Sequence, residues 1–371
     1  MKKQKYDVAA YVCPSYSGAD PRSLIFWPEG LGEWQTVRDA KPKFPGHVEP
    51  RKPLWGFVDE ANPDVMEMQI NTAVRHGVNV FIYDWYWYDN RPFWENCLND
   101  GFLGAPNNEQ MQFYLMWANH NADYLWDKRN SHVSNTVIWE GNADRKQFEV
   151  IGQRTIEKYF SRKNYYKING KPVFSIFNLQ NLVKGFGGIK ETRDAFSWFD
   201  AESKNAGYDG VHFQLNLWGD HVSNLPDGTK MPDNELAGLI GFSSLTNYQY
   251  VNMTKTRGDY GTILEEVKKL WEKFSAYGMI YFPHVSLGWD NNARFYRFND
   301  DLITGNTPDK IETAMRAAKE FCDRNFSSSI NKIPSLITVN AWNEWTEGSY
   351  LEPDSLYGYQ YLEAIRRVFV E

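Results

Sequence analysis

Short apolar runs recur along the chain, and the stretches between them carry helical spacing. The runs are residues 7–12 (DVAAYV), 78–84 (VNVFIYD), 111–118 (MQFYLMWA), 172–177 (PVFSIF), 211–215 (VHFQL), 244–248 (SLTNY), 279–285 (MIYFPHV) and 336–340 (LITVN). Most are near-continuous rather than alternating, the pattern of parallel strands covered on both faces. Between them, residues 62–77 begin with Asn62 as a cap and Pro63 at the first helical position, keep apolar residues at Val65, Met68 and Val74, and stop at Gly77. Residues 148–160, 192–205, 263–276, 308–324 and 356–369 also read as helices, the fourth of these opened by Thr307-Pro308. Residues 265–273, rich in Lys and Glu, read as a solvated helix face.

Eight strands alternating with helices predict an α/β fold, a (β/α)8 TIM barrel forming a single domain over residues 1–371. The main departure is a long Pro-rich β1–α1 insertion, residues 14–55, and loops of that length inside a compact domain usually serve function. An open doubly wound sheet is the alternative, but no Gly-rich phosphate turn follows any of the runs.

In such a barrel, chemistry sits at the carboxyl ends of the strands. Strand two runs into Asp84-Trp85-Tyr86-Trp87, and strand three ends in Trp117-Ala118-Asn119-His120. Strand five ends in Asn216, strand seven in His284 with Trp289 beyond it, and strand eight in a run through Trp342, Asn343, Glu344 and Glu347. Asn near strand ends is ordinary turn chemistry, but Trp at the same places is not. Amides, carboxylates and indoles on one rim suit a neutral polyhydroxylated ligand, whose hydroxyls bond the polar groups while its ring stacks.

Composition narrows the partners. Forty Lys and Arg against 47 Asp and Glu give a net charge of −7, so there is no basic excess and nucleic acid is not an expected partner. Aromatic residues make up 16% of the 371, including 15 Trp, which serve either a large core or stacking platforms for sugars. Cys13, Cys97 and Cys322 lie far apart in no metal-ligand spacing, and the seven His form no HxH or HExxH pattern. No metal and no cofactor are therefore expected. No run is apolar enough for a membrane span or a signal peptide, although an export signal removed before this chain begins stays open.

Glu344 and Glu347 are spaced i, i+3. On one helical turn their Cβ atoms would lie about 5–6 Å apart on the same face. Two carboxyls that close do not comfortably both ionise, so one pKa rises and the pair divides into proton donor and acceptor. Glycosidic cleavage needs that division, and close spacing fits retention of configuration. The plainer reading is a solvated acidic turn, for which Trp342, Asn343, Trp345 and Gly348 are unusual company.

The run Asn340-Ala-Trp-Asn-Glu-Trp-Thr-Glu-Gly-Ser-Tyr-Leu-Glu-Pro-Asp354 resembles the NEWxEGxxLEPD signature of WbsX-like proteins, often labelled glycosyltransferases and related to the family 99 glycoside hydrolases of endo-α-mannosidase type. Gly32-Glu33-Trp34-Gln35-Thr36-Val37 resembles an early TEWxNV element, and Phe44-Pro-Gly-His47 the stretch after it. Phe81-Ile-Tyr-Asp-Trp-Tyr-Trp87 resembles the strand-two element, Leu115-Met-Trp-Ala-Asn-His120 a WANE element with His for the acid, and Gly170-Lys-Pro-Val173 a GKPV turn. The resemblance implies a metal-free (β/α)8 barrel that retains configuration through a 1,2-anhydro sugar, with Glu344 as base on the substrate 2-hydroxyl and Glu347 as acid/base on the glycosidic oxygen. Thr346 stands where the family 99 motif has His, and His120 where it has Glu, so mannoside specificity is not implied.

The expected function is a retaining glycoside hydrolase on a polysaccharide or glycan. A glycosyltransferase of surface-polysaccharide assembly and a non-catalytic carbohydrate-binding protein are the alternatives. Besides Glu344 and Glu347, the candidate substrate contacts are Tyr11, Glu33, Trp34, Asp84, Trp85, Trp117, Asn119, His120, Asn216, Tyr248, His284, Trp289, Trp342 and Asn343. Of these, Asp84 would bond a hydroxyl, steady the acid/base or cap a turn, and His284 is either a ligand or a structural histidine.

Overall fold

The computed structural model describes residues 5–123, 126, 129, 137–326 and 333–371. Eight parallel strands close on themselves: β1 (Tyr6–Val12), β2 (Val80–Tyr88), β3 (Gln112–Trp117), β4 (Lys171–Ile176), β5 (His212–Asn216), β6 (Ser244–Thr246), β7 and β8 (Ser335–Asn340). The seventh is split at Phe282-Pro283 into Ile280–Tyr281, which pairs with β6, and His284–Ser286, which pairs with β8. Proline cannot donate to a ladder, so the break falls where the sequence requires it. The two pieces bridge β6 and β8, and β1 pairs with both β8 and β2, so the structure is the closed barrel rather than the open sheet.

The helices are α1 (Trp34–Asp39), α2 (Pro63–Arg75), α3 (Arg145–Thr155), α4 (Leu179–Phe186), α5 (Ile189–Asn205), α6 (Asp233–Ile240), α7 (Tyr260–Ser275), α8 (Pro308–Phe326) and α9 (Gln360–Phe369). The Asn62 side chain caps α2 by accepting from the Asp64 N–H, as its sequence signal predicts. Helix α9 starts four residues later than its apolar spacing suggests. The Asp354 carboxylate accepts from the Leu356 and Tyr357 N–H groups and holds that stretch in a turn. Helices α4 and α6, each eight residues long, were not among the expected helices, although α4 sets Leu179, Leu182, Val183 and Phe186 on one buried face.

The 14–55 insertion is ordered by burial. Tyr16, Trp34 and Val37 pack with Cys13, Trp345 and Tyr350 into a small second core over the end of β8. Trp345 stacks on Tyr350 at 3.7 Å between ring centroids, and Trp34 lies 5.9 Å from Trp345. The insertion thus clamps the turn that carries Glu344 and Glu347.

The barrel interior is unusually polar. Tyr11 donates to Asn216 (2.6 Å) and Tyr114 to Gln214 (3.0 Å). His212 meets Ser244 at 2.7 Å, and Thr338 meets both Thr246 (2.7 Å) and His284 (2.9 Å). Each of these groups is buried, so each needs its partner. Thr338→Val should leave the His284 Nδ1 unmet and weaken the pairing of Thr246. The expected loss is about 1–3 kcal/mol in urea unfolding. A variant as stable as the parent would show that this network does not hold the barrel.

Candidate active site

The site begins at the end of β8. Asn343–Glu344 pairs antiparallel with Ser349–Tyr350, and one 3-10 turn, Trp345–Glu347, joins them. Gly348 closes the turn at φ +63°, and a Cβ there would lie 3.3 Å from that of Asp290, so the position favours glycine on two counts. Both glutamates point from this turn into one cavity of about 120 Å³. Its walls include Glu33, Asp84, Tyr86, Trp94, His120, Trp126, Tyr248 and Arg294.

Asp84 and Tyr86 come from β2, where side chains alternate between faces. The strand continues into a hairpin with Arg91–Phe93, turned at Asp89 and Asn90, both with positive φ as a type I′ turn requires. Trp94 follows, itself at φ +57°, with its indole N–H on Ser23 (2.7 Å). Glu33 comes from the insertion and is held by Ser15 (2.7 Å) and Thr346 (2.6 Å).

Arg294, from the long segment after β7, binds the acids together. It lies 2.7 Å from Glu347, 3.1 Å from Glu33 and 3.5 Å from Glu344. Burial works against its charge, and the three carboxylates outweigh burial, so it stays charged. Glu344 is pushed well above the usual carboxylate range by burial first and then by the negative charge of Glu347, with Arg294 opposing. Burial also raises Glu347, against the pull of its Arg294 ion pair. Asp84 is raised by burial, while a hydrogen bond from Tyr248 works the other way. The Tyr248 hydroxyl bridges Asp84 (2.8 Å) and Glu344 (3.0 Å). Burial lowers His120 and keeps it neutral near pH 7. Cys13 Sγ and one oxygen each of Asp84 and Glu344 lie within 4.8 Å of one another. Among the described residues this is the one set of three groups placed to ligate a cation.

The candidates read from the sequence divide in two. Glu33, Asp84, His120, Tyr248, Glu344 and Glu347 meet on the cavity wall. The others stand elsewhere, for physical reasons. Trp85 and Trp117 occupy the outward face of their strands: Trp85 donates to Glu95 (2.8 Å) and Trp117 stacks on Phe148 of α3. Trp342 lies between the barrel and α2, bonded to Gln69 (2.9 Å) and against Phe81. Trp34 belongs to the second core, with its N–H on the Val58 carbonyl. Trp289 lines a separate cleft beside the buried His47–Asp290 pair (2.8 Å). Tyr11, Asn216 and His284 are barrel-interior groups satisfied by one another's neighbours, and burial takes His284 down to about 3. Asn119 ties the ends of β3 and β4 together through the Asn178 backbone.

Asn343 acts one layer back. It holds the Cys13 backbone in both directions (2.8 Å each) and donates to Glu60 (2.8 Å). Glu60 lies against Glu352, which receives Gln69 (2.7 Å) and the Trp345 N–H (2.6 Å). Both carboxyls are buried without a cation among these partners.

Sequence reasoning passed over Arg294, Tyr86, Trp94 and Trp126. Tyr86 is two residues from Asp84 on the same strand, so alternation alone would have found it. A buried carboxylate pair also calls for a nearby cation, and Arg294 follows a strand end. The two Trp come from loops whose course no periodicity reveals.

Fold and pocket define the class: a (β/α)8 barrel with an acidic, aromatic-walled cavity at the carboxyl ends of its strands. The chain belongs to the glycosyltransferase WbsX family, whose model matches residues 8–365. It is 25% identical over 364 residues to WxcX, an uncharacterized protein of Xanthomonas campestris pv. campestris, covering 94% of this chain and 47% of the relative. The chain thus spans about half the length of the curated relatives it matches. Among solved structures it resembles the GH99 endo-alpha-mannosidase from Bacteroides thetaiotaomicron, with a TM-score of 0.58 and 14% identity over 97% of this chain and 95% of that one. It also resembles a protein described as glycoside hydrolase-like, with a TM-score of 0.62 and 15% identity over 100% of this chain and 95% of that one. These likenesses show the barrel fold.

The Glu60–Glu352 pair gives the turn a pH signature. Burial raises Glu352 to about 7 and takes Glu60 well above its ordinary 4.5. Groups raised on folding bind more protons in the native state, so their contribution is fullest below pH 4.5 and falls as pH climbs through 7. Glu60→Gln, a mimic of the protonated form, should fold and lose less stability between about pH 5 and pH 8 than the parent. Glu60→Ala should cost about 1–3 kcal/mol by stranding Asn343 and Gln69. Thermal unfolding across pH checks both, and parallel pH curves for parent and Gln variant would refute the assignment.

Proposed function

We propose that the protein is a retaining glycoside hydrolase acting on a polysaccharide or glycan, with Glu344 and Glu347 as its acid–base pair. One observation carries this: two buried carboxyls from a single turn enter one cavity, and their surroundings separate them, since Arg294 lies closer to Glu347 than to Glu344. Such a separation lets one carboxyl hold a proton while the other stays ionised. Without substrate the proton rests on Glu344, so the roles given below follow the family resemblance and require that proton to leave Glu344, and Glu347 to gain one, as substrate binds.

In the reading the family resemblance supports, Glu344 takes the proton of the sugar 2-hydroxyl. The freed oxygen attacks the anomeric carbon as the glycosidic C–O bond breaks, and Glu347 protonates the leaving oxygen. Water then opens the 1,2-anhydro ring at the anomeric carbon. Glu347 takes the water's proton, Glu344 returns one to O2, and two inversions leave the configuration retained. Burial makes Glu344 a stronger base once ionised. Arg294 offsets the burial of Glu347 and keeps its acidity nearer working pH, where general acid catalysis is most effective.

The name of the family favours a second reading, a glycosyltransferase acting through the same pair. A nucleotide-sugar donor brings a diphosphate, and this cavity offers it one guanidinium already engaged by three carboxylates. Tight binding of a sugar nucleotide in calorimetry would favour transfer over hydrolysis.

Glu344→Gln and Glu347→Gln should each lower kcat by about 10²–10⁴. Digestion of a defined glycan panel, with NMR of the first-formed anomer, measures this and shows retention directly. Full activity in both variants, or inversion, would end the mechanism. Arg294 lowers both carboxyls, so Arg294→Gln should move the acidic limb of the kcat/KM profile to higher pH. An unmoved limb would remove Arg294 from that role.

A further inference from the structure

We propose that the cavity is built for a sugar carrying a free amino group, protonated to an ammonium and received by Asp84. This rests on reading the cavity as a glycan site, and it names the substrate class.

The charges in the cavity do not balance. Four carboxyl groups, Glu33, Asp84, Glu344 and Glu347, face one guanidinium. His120 is neutral near pH 7, because burial lowers its pKa. Arg294 is shared among Glu33, Glu344 and Glu347. Asp84 has no cation partner among the described residues. Its Oδ2 accepts from Tyr248 at 2.8 Å, and its Oδ1 is buried on the cavity wall with no hydrogen-bond partner. A buried carboxylate oxygen left open in this way is costly unless it holds a proton or meets a cation. A sugar hydroxyl would satisfy the hydrogen bond but would leave the charge unbalanced.

The rest of the wall suits an organic cation. Tyr86, Trp94, Trp126 and Phe177 line the same cavity, and aromatic faces attract ammonium groups. Phosphate, sulfate or uronate groups would meet repulsion from the surplus of carboxylates. An N-acetyl group would bring no charge to offset it. Tyr248 bridges Asp84 and Glu344, so an amine seated on Asp84 lies one hydroxyl away from the proposed base and leaves both catalytic carboxyls free.

The test uses the full chain, freed of metal by chelator and kept in phosphate buffer without amines. Calorimetry compares hexoses carrying an amine at C2, C3, C4 or C6 with their hydroxyl parents and N-acetyl derivatives. At least one amino sugar should bind about tenfold tighter or better than both its counterparts, as a charge-assisted hydrogen bond implies. Asp84→Asn should abolish that preference, bringing the amino sugar to within twofold of its hydroxyl parent. If the variant does not fold, the wild-type comparison decides alone.

Amino sugars, parents and N-acetyl forms binding within twofold of one another would overturn the inference. Cleavage of neutral glycans without any amine preference would overturn it and leave the hydrolase reading standing. Amine preference without cleavage of any glycan, including amino-sugar polymers, would support the inference and sink the hydrolase reading. No binding and no cleavage would refute both.

Discussion

One guanidinium holds this site together. Without Arg294, three carboxyls from two distant parts of the chain would crowd a buried space with no positive charge among the cavity-lining residues. Buried like charges either protonate or push their carriers apart. Arg294 lets Glu33, from the insertion, and Glu344 and Glu347, from the strand-eight turn, occupy one cavity while keeping some of their charge. The segment after β7 and the insertion after β1 are therefore both parts of the site.

The rest of the architecture serves that meeting point. The second core of Trp34, Trp345 and Tyr350 fixes the turn from outside, and Asn343 with the Glu60–Glu352 pair fixes it from beneath. Trp345 serves both, with its ring in the stack and its N–H on Glu352. A turn of four residues, 345–348, gains little rigidity from its own backbone, so the rigidity comes from burial on either side. Precise placement of reacting groups depends on support of this kind.

Much of the fold was legible because it rests on local pattern. The eight strands follow from apolar runs, and α2 from the Asn62-Pro63 signal. The acidic pair of the cavity was legible because both glutamates lie in one short motif. What escaped was direction. Trp85 and Trp117 sit at the ends of their strands, as a carbohydrate platform would, but their side chains face the helices. The cavity's indoles are instead Trp94 and Trp126, which no strand carries. Tyr11, Asn216 and His284 misled for another reason. A barrel interior is usually filled by branched apolar side chains, so polar residues at strand ends point to the ligand. Here the interior is a hydrogen-bonded network, and the same residues are consumed in holding the barrel.

That polar interior bears on the chemistry above it. Tyr248 caps the network: its ring packs on Tyr11 at 4.8 Å, while its hydroxyl reaches Asp84 and Glu344. Tyr11 in turn is fixed by Asn216 and by the Asn247 carbonyl. Hydrogen bonds and one ring contact, that of Tyr11 on Tyr248, thus link the barrel centre to the carboxylate proposed as base. Two of these links are hydroxyls held at both ends, which cannot turn away without leaving a buried polar atom unmet. The interior that obscured the site in the sequence is therefore what orients its acceptor side. The donor side, Glu347, is oriented by Arg294 alone among the described hydrogen bonds. Glu344 is thus held from below by a tyrosine packed on the barrel interior, and Glu347 from the side by a guanidinium that it shares with Glu33 and Glu344.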